Sequence, residues 1–154
     1  MALRSGMEDQ VIHRIRLLAG ALVLAAGLAA CSNGSAPAGG PTILAQTVGT
    51  NGTLLVAGSN GMTVYAFDKD VANNGTSACT ATDDCIATWP ALTVPTGTTP
   101  TAGAGVTGKI GTITRADSGA LQVTYNGVPL YFYSGDQAVG DSNGIYTDWN
   151  AIKP

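Results

Sequence analysis

Histidine is almost missing from this chain: the single one, His13, lies in the first thirty of 154 residues. A serine or cysteine nucleophile needs a base beside it, and past residue 30 there is no imidazole to act as one. A lysine base is the remaining route, and no Ser-x-x-Lys pair offers it. Basic residues are scarce as well. Beyond residue 30 only Lys69, Lys109, Arg115 and Lys153 remain, against eight aspartates and no glutamate, giving 4 minus 8, or a net charge of -4. Four scattered cations make no footprint for a phosphate backbone, so nucleic acid is not an expected partner. The same balance argues against docking on anionic lipid headgroups. Long apolar runs are also few, and the one that exists ends at residue 30.

That run begins at Leu17 and closes with Leu28-Ala29-Ala30-Cys31, behind Arg14 and Arg16. A charged start, an apolar middle and small residues before the cut are the three parts of a secretory signal, expected over residues 1–30. The apolar stretch falls short of the roughly 20 residues that a bilayer core requires, and no stop-transfer charges follow. The cleavage sequence resembles the lipobox of bacterial lipoproteins, whose cysteine is acylated on sulfur and then on the new amino terminus. Cys31 is thus the expected lipidation site. Several acyl chains at about 0.8 kcal/mol per buried methylene would hold the domain at a membrane. Ser32 in place of Asp after the cysteine implies, by the same resemblance, the outer membrane of a two-membrane bacterium. The expected location is the cell envelope, facing outside the cytoplasm.

Cys79 and Cys85 are the other cysteines, with five residues between them. Outside the cytoplasm a disulfide is the favoured reading. Metal ligation by this pair would need two further soft ligands, which the segment after residue 30 does not hold. Residues 31–41, rich in Gly, Pro, Ala and Ser, read as a flexible tether. The 124 residues past the cut suit one domain, expected over 42–154.

Within that domain Thr, Val, Gly and aromatic residues alternate with turn signals every eight to twelve positions, and no helical stripe of useful length occurs. Short antiparallel strands are the consequence. The domain also contains itself twice. Gly52-Thr-Leu-Leu-Val and Asn60-Gly61-Met-Thr-Val-Tyr65-Ala-Phe67-Asp-Lys-Asp70 align with Gly119-Ala-Leu-Gln-Val and Asn126-Gly127-Val-Pro-Leu-Tyr131-Phe-Tyr133-Ser-Gly-Asp136. Trp89-Pro-Ala-Leu92 then matches Trp149-Asn-Ala-Ile152, which predicts a tryptophan strand at the end of each copy. Repeat one spans about 42–94 and repeat two about 106–154. Asn60-Gly61 and Asn126-Gly127 are expected hairpin tips, since both residue types tolerate positive φ. About four strands per copy give an all-β fold of two repeats, closed as a sandwich or small barrel.

These residues resemble the bacterial secreted-repeat lipoproteins that carry a Tyr-x-(Phe/Trp/Tyr)-x-x-Asp motif, here Tyr65, Phe67 and Asp70, then Tyr131, Tyr133 and Asp136. The resemblance runs on through Cys79, Cys85, Trp89-Pro90 and Lys109 to Arg115, and covers most of residues 50–150. It implies an exported, usually lipid-anchored domain with no established activity. Two departures stand out. Asp83-Asp84 lengthens the loop between the cysteines, and the last strand lacks a Trp-His pair, which weakens any haem or metal role using that histidine.

In a strand the motif aromatics share one face, and Val64, Ala66, Leu130 and Phe132 hold the other, so a central strand buried on both sides is the first reading. An aromatic platform for sugar rings or another flat ligand is the second. Asp70 and Asp136 read as turn-fixing aspartates; paired, they would suit glycoside hydrolysis. Asp136, Asp141, Asn143 and Asp148 hold closely spaced oxygen donors, a possible calcium site without the glutamate that completes a helix-loop-helix loop. The expected function is a lipid-anchored, non-enzymatic binding or structural module with an envelope protein or glycan as partner. The alternatives are a metal-binding or redox accessory lipoprotein and a carbohydrate-active enzyme using Asp70 and Asp136.

Overall fold

The computed structural model describes residues 39–154. The expected signal segment 1–30, the expected lipidation site Cys31 and the expected tether as far as residue 38 lie outside the described residues. Eight short strands follow in chain order: β1 (Ile43–Thr47), β2 (Thr53–Ala57), β3 (Tyr65–Phe67), β4 (Thr93–Val94), β5 (Ile110–Thr114), β6 (Leu121–Tyr125), β7 (Val128–Pro129) and β8 (Trp149–Ala151). Helix is confined, among the described residues, to a 3-10 turn at Ala81–Asp83 and one α-turn, α1 (Cys85–Thr88). The fold is therefore all-β, with four strands in each repeat.

Strands pair antiparallel as β1–β2, as β3–β8 and as β4–β6–β5, with β7 also on β6. Single bridges join Val56 to Thr63, Tyr65 to Tyr131 and Ala91 to Tyr131. The small sheets do not close on themselves, so the barrel alternative is set aside. Strands of two to five residues are too short to wrap a continuous cylinder; they tile the core from several sides instead.

The repeats are interlocked rather than adjacent. Repeat one supplies β3 to pair with β8 of repeat two, and its β4 pairs with β6 of repeat two. A pseudo-twofold axis is visible in the hydrogen bonds. Tyr65 N–H donates to Tyr131 O at 2.9 Å while Tyr131 N–H donates to Tyr65 O at 3.0 Å. Leu55 N–H to Ile152 O at 2.7 Å mirrors Val123 N–H to Leu92 O at 2.8 Å, and Val64 N–H to Leu55 O mirrors Leu130 N–H to Val123 O. These bonds make Leu55 the equivalent of Val123, one residue away from the sequence match of Val56 with Val123. The reason is burial. Leu54, Leu55, Val56 and Ala57 are all buried, as are Gln122, Val123, Thr124 and Tyr125, so no exposed face marks the register, and the polar Gln122 and Thr124 have only apolar counterparts in β2.

Turn chemistry differs between the copies too. Asn126 and Gly127 both take positive φ, 50° and 82°, in the two-residue turn joining β6 to β7. In repeat one only Gly61 does, at 71°. There the loop is longer, with Ala57 N–H bonded to Met62 O, and Asn60 Oδ1 accepts the Met62 amide at 3.0 Å. The predicted tryptophan strand is found once. Trp149 begins β8, whereas Trp89 closes α1 with its amide on Cys85 O at 2.8 Å. Cys79 and Cys85 are bonded, with Cα atoms 5.3 Å apart. So short a loop contributes roughly 2 kcal/mol on the chain-entropy account. It braces the insertion that precedes Trp89.

One core cluster gathers Ile43, Leu55 and Val64 from repeat one with Val123 and Leu130 from repeat two, and Leu92 joins them. A second is aromatic, built on Tyr65, Tyr131, Trp89 and Trp149 with Cys79. Fully burying side chains of this size is worth about 1.5–3 kcal/mol each. Because both clusters draw on both copies, neither repeat holds a complete core alone.

Candidate functional site

The two motif copies meet at the pseudo-twofold axis. Tyr65 and Tyr131 are fully buried, and each hydroxyl reaches the aspartate of the other repeat: Tyr65 Oη donates to Asp136 Oδ2 at 2.6 Å, and Tyr131 Oη to Asp70 Oδ2 at 2.7 Å. The second oxygen of each carboxylate takes a backbone amide. Ala78 N–H donates to Asp70 Oδ1 at 2.6 Å, and Asn143 N–H to Asp136 Oδ1 at 2.9 Å. Each aspartate thus ties its own repeat's following loop to the other repeat's tyrosine. Bonds to charged acceptors contribute roughly 1.5–3 kcal/mol apiece, more than neutral ones.

Burial pushes both phenols well above their usual range, and the carboxylate beside each adds to it, so both remain protonated donors. Burial likewise raises the Asp70 carboxyl, against the Ala78 amide and the Tyr131 hydroxyl, which favour its anion.

Between these clasps stands a column of four rings. Trp89 and Trp149 stack at 3.7 Å between centroids and 2° between planes; Phe67 stacks on the outer face of Trp149 at 4.4 Å, and Tyr133 lies on Trp89 at 4.7 Å, tilted by 35°. Tyr65 and Tyr131 meet the indoles edge-on at 5.6 and 5.0 Å. Offset and edge-to-face contacts of this kind add roughly 0.5–1.5 kcal/mol beyond burial. Tyr65 and Tyr131 are core residues with their hydroxyls partnered across the axis, but Tyr65 opens the three-residue β3 and Tyr131 makes only single bridges to Tyr65 and Ala91, so the second copy of the motif is not a strand.

Tyr146, a residue the repeat alignment does not single out, extends the column to the surface. Its hydroxyl is 2.7 Å from that of Tyr133, and its ring stands perpendicular to Trp89. Tyr146 is 53% exposed, with Ile145 and Val139 exposed in the same loop.

Sequence reasoning also passed over Arg115. It is buried, and all five guanidinium donors have partners: Nε and Nη2 grip Asp117 at 2.9 and 2.5 Å, Nη1 reaches Gln122 Oε1 at 2.7 Å and Ser77 Oγ at 3.1 Å, and Nη2 reaches Cys79 O at 2.8 Å. Ser77 in turn contacts the Tyr131 hydroxyl at 2.6 Å. At the equivalent places repeat one has Val48 and Leu54, which pack with Val56 in a small apolar cluster. The signal was there in the repeat alignment, where Leu-Leu-Val faces Leu-Gln-Val.

The Arg115 fork, aided by the Ala81 amide, holds the Asp117 carboxyl down at about 2. A carboxylate whose folded value lies below its unfolded value contributes stability above the unfolded value of 3.8 and loses it as pH falls toward about 2. Urea midpoints measured across that window should fall with acid, and Asp117→Asn should flatten this limb. An unchanged acid limb in the variant would contradict the assignment.

Of the four residues of the expected calcium site, Asp136 and Asp141 spend carboxylate oxygens on their own loop. Asp136 holds Tyr65 and the Asn143 amide, as above, and Asp141 Oδ2 accepts the Gln137 and Ala138 amides at 2.8 and 2.9 Å. Asp148 lies 3.7 Å from Lys69 on an exposed face. No group of three or more His, Cys, Asp or Glu side chains is gathered for a metal among the described residues.

Two glycine patterns have catalytic or nucleotide-binding spacing. Gly140-Asp141-Ser142-Asn143-Gly144 reads Gly-x-Ser-x-Gly, but it lies in an irregular loop with no helix after it, and Ser142 Oγ accepts from Asn51 Nδ2 at 2.7 Å. Gly103-Ala-Gly105-Val-Thr-Gly108-Lys109 has phosphate-loop spacing, yet it leads into β5 and not into a helix N-terminus. Neither has the setting its chemistry requires.

Neither the curated proteins nor the solved structures contain a match to this chain. A protein-family match covers residues 47–93 and 111–153, one segment on each repeat and together more than half of the sequence. The chain therefore belongs to the Lipoprotein_15 family, a secreted repeat of unknown function.

Proposed function

We propose that the protein is an extracytoplasmic lipoprotein, held at the bacterial envelope by acyl chains on Cys31, whose two-repeat domain is a non-enzymatic structural or binding module. The observation that supports this reading best is the fate of the motif. Both oxygens of Asp70 and of Asp136, and both tyrosine hydroxyls, are taken up by the interrepeat clasp. A general acid or base has to reach a proton of its substrate, and carboxylates engaged on one oxygen by a buried tyrosine hydroxyl and on the other by a backbone amide are poorly placed to do so. This weighs against paired-acid hydrolysis. What remains for recognition is the surface, where Tyr146, Ile145, Val139 and Val71 are exposed.

Anchoring is tested in cells by Cys31→Ser. The expected result is release from the membrane fraction or a block in processing; unchanged retention would contradict lipidation. For the module, thermal unfolding of the purified chain in calcium, chelator and cell-wall glycan reads binding directly, because a ligand that prefers the native state must raise the transition.

A further inference from the structure

The aromatic column joins two buried indoles to one exposed phenol without a gap. Trp89 and Trp149 overlap face to face at 3.7 Å, Tyr133 covers Trp89 at 4.7 Å, and Tyr146 touches Tyr133 through hydroxyls 2.7 Å apart. Of the five tyrosines only Tyr146 is exposed to any large extent; Tyr65 and Tyr131 are fully buried and Tyr125 nearly so. We propose that the column carries single-electron oxidation from the tryptophan pair to Tyr146, and that Tyr146 is a site of oxidative dityrosine cross-linking between two copies of the chain.

Competing sinks are few. Cys79 and Cys85 are already oxidised to a disulfide, no histidine occurs past residue 30, and Met62 sits apart at the Asn60-Gly61 tip. The indole and phenol rings are therefore the groups from which an electron is most readily taken. Parallel overlap lets the two indoles share a radical cation, which lowers its energy relative to either ring alone. That cation sits among apolar rings, where an unpaired charge is costly. Tyr146 relieves the cost, because its proton can leave directly for water and the remaining radical is neutral. Tyr65 and Tyr131 also contact the indoles, but their protons are held by Asp136 and Asp70 inside the protein, so an electron passed from them returns and leaves no product.

A one-electron oxidant takes one electron from the indole pair and is reduced by one unit. An electron from Tyr146, by way of Tyr133, refills the pair, and the phenolic proton goes to water. Two tyrosyl radicals from two chains then form a carbon–carbon bond between ring positions ortho to oxygen, and the two displaced ring hydrogens restore the phenols. Two electrons and two protons leave for each cross-link.

Pulse radiolysis of the detergent-solubilised full chain with azide radicals tests this, since azide radicals oxidise indoles faster than phenols at neutral pH. The expected result is a tryptophan radical that converts to a tyrosyl radical in a first-order step independent of protein concentration. Covalent dimers should follow, with the cross-link mapped to Tyr146 by mass spectrometry. Tyr146→Phe removes one exposed hydroxyl, should leave the unfolding midpoint unchanged, and should abolish the dimers. Absence of the first-order conversion, absence of dimers, or equal dimer yield in Tyr146→Phe would each overturn the proposal.

Discussion

Trp149→Ala is expected to destabilise the protein by about 3–5 kcal/mol, the range for removing a large aromatic ring from a packed core. Trp149 touches three rings, those of Phe67, Trp89 and Tyr131, and begins the strand that repeat two lends to β3. Its loss leaves a cavity between the repeats, where neither copy can collapse without breaking the β3–β8 pairing. Trp149→Phe should recover part of the loss, because a smaller ring still stacks. Chemical denaturation measures the effect, and near-UV circular dichroism of the alanine variant should lose the part of the indole signal that arises from the stacked pair, Trp89 alone remaining. A loss below about 1 kcal/mol would mean that the column is not a principal tie between the repeats.

Arg115→Met should also be costly, at about 1–3 kcal/mol for each buried acceptor stripped of its charged donor, because Arg115 is buried although its partner Asp117 lies at the surface. Gln122 Oε1 and Cys79 O lose buried donors, and Asp117 loses both arms of its fork. The first repeat shows a second solution to the same packing problem, with Val48 and Leu54 in place of Arg115 and Gln122. The double variant Arg115→Val with Gln122→Leu should therefore cost less than the sum of its single changes, since groups that share a network do not add. Some loss will persist, because Leu130 O, which accepts from Gln122 Nε2 at 2.9 Å, stays without a side-chain donor, and Cys79 O keeps only the Ser77 hydroxyl at 3.0 Å. Strict additivity in denaturant midpoints would contradict the network.

Period, turn residues and internal repetition were legible in the chain. The alternation of Thr and Val with Gly-containing turns gave short strands, and the doubled Tyr-x-aromatic-x-x-Asp spacing gave two copies of one plan. Cys79 and Cys85 could be paired from spacing and compartment alone. The tyrosines could be placed in the core, because apolar residues flank them on both sides.

Other features were hidden for definite reasons. The equivalence of β2 with β6 could not be read, because both strands are buried on both faces and the polar alternation of Gln122 and Thr124 in β6 has no counterpart in Leu54–Ala57 of β2. Trp89 and Trp149 match in sequence yet sit in different local structure, because the bridged insertion in repeat one ends in a helical turn that repeat two lacks. Arg115 looked like one of four scattered cations. Its burial depends on Asp117, Gln122, Ser77 and a backbone carbonyl converging from 2 to 38 positions away along the chain.

By itself, then, the sequence determined the all-β class, the two repeats, the disulfide and the residues of the motif, since each rests on local periodicity or on spacing along the chain. Only the tertiary structure decided that the repeats exchange strands, that Tyr65 pairs with Asp136 and Tyr131 with Asp70, and that the two tryptophans meet face to face. Those contacts join positions about sixty or more residues apart. A hydroxyl or an indole carries no mark of its partner until packing across the pseudo-twofold axis brings the two together.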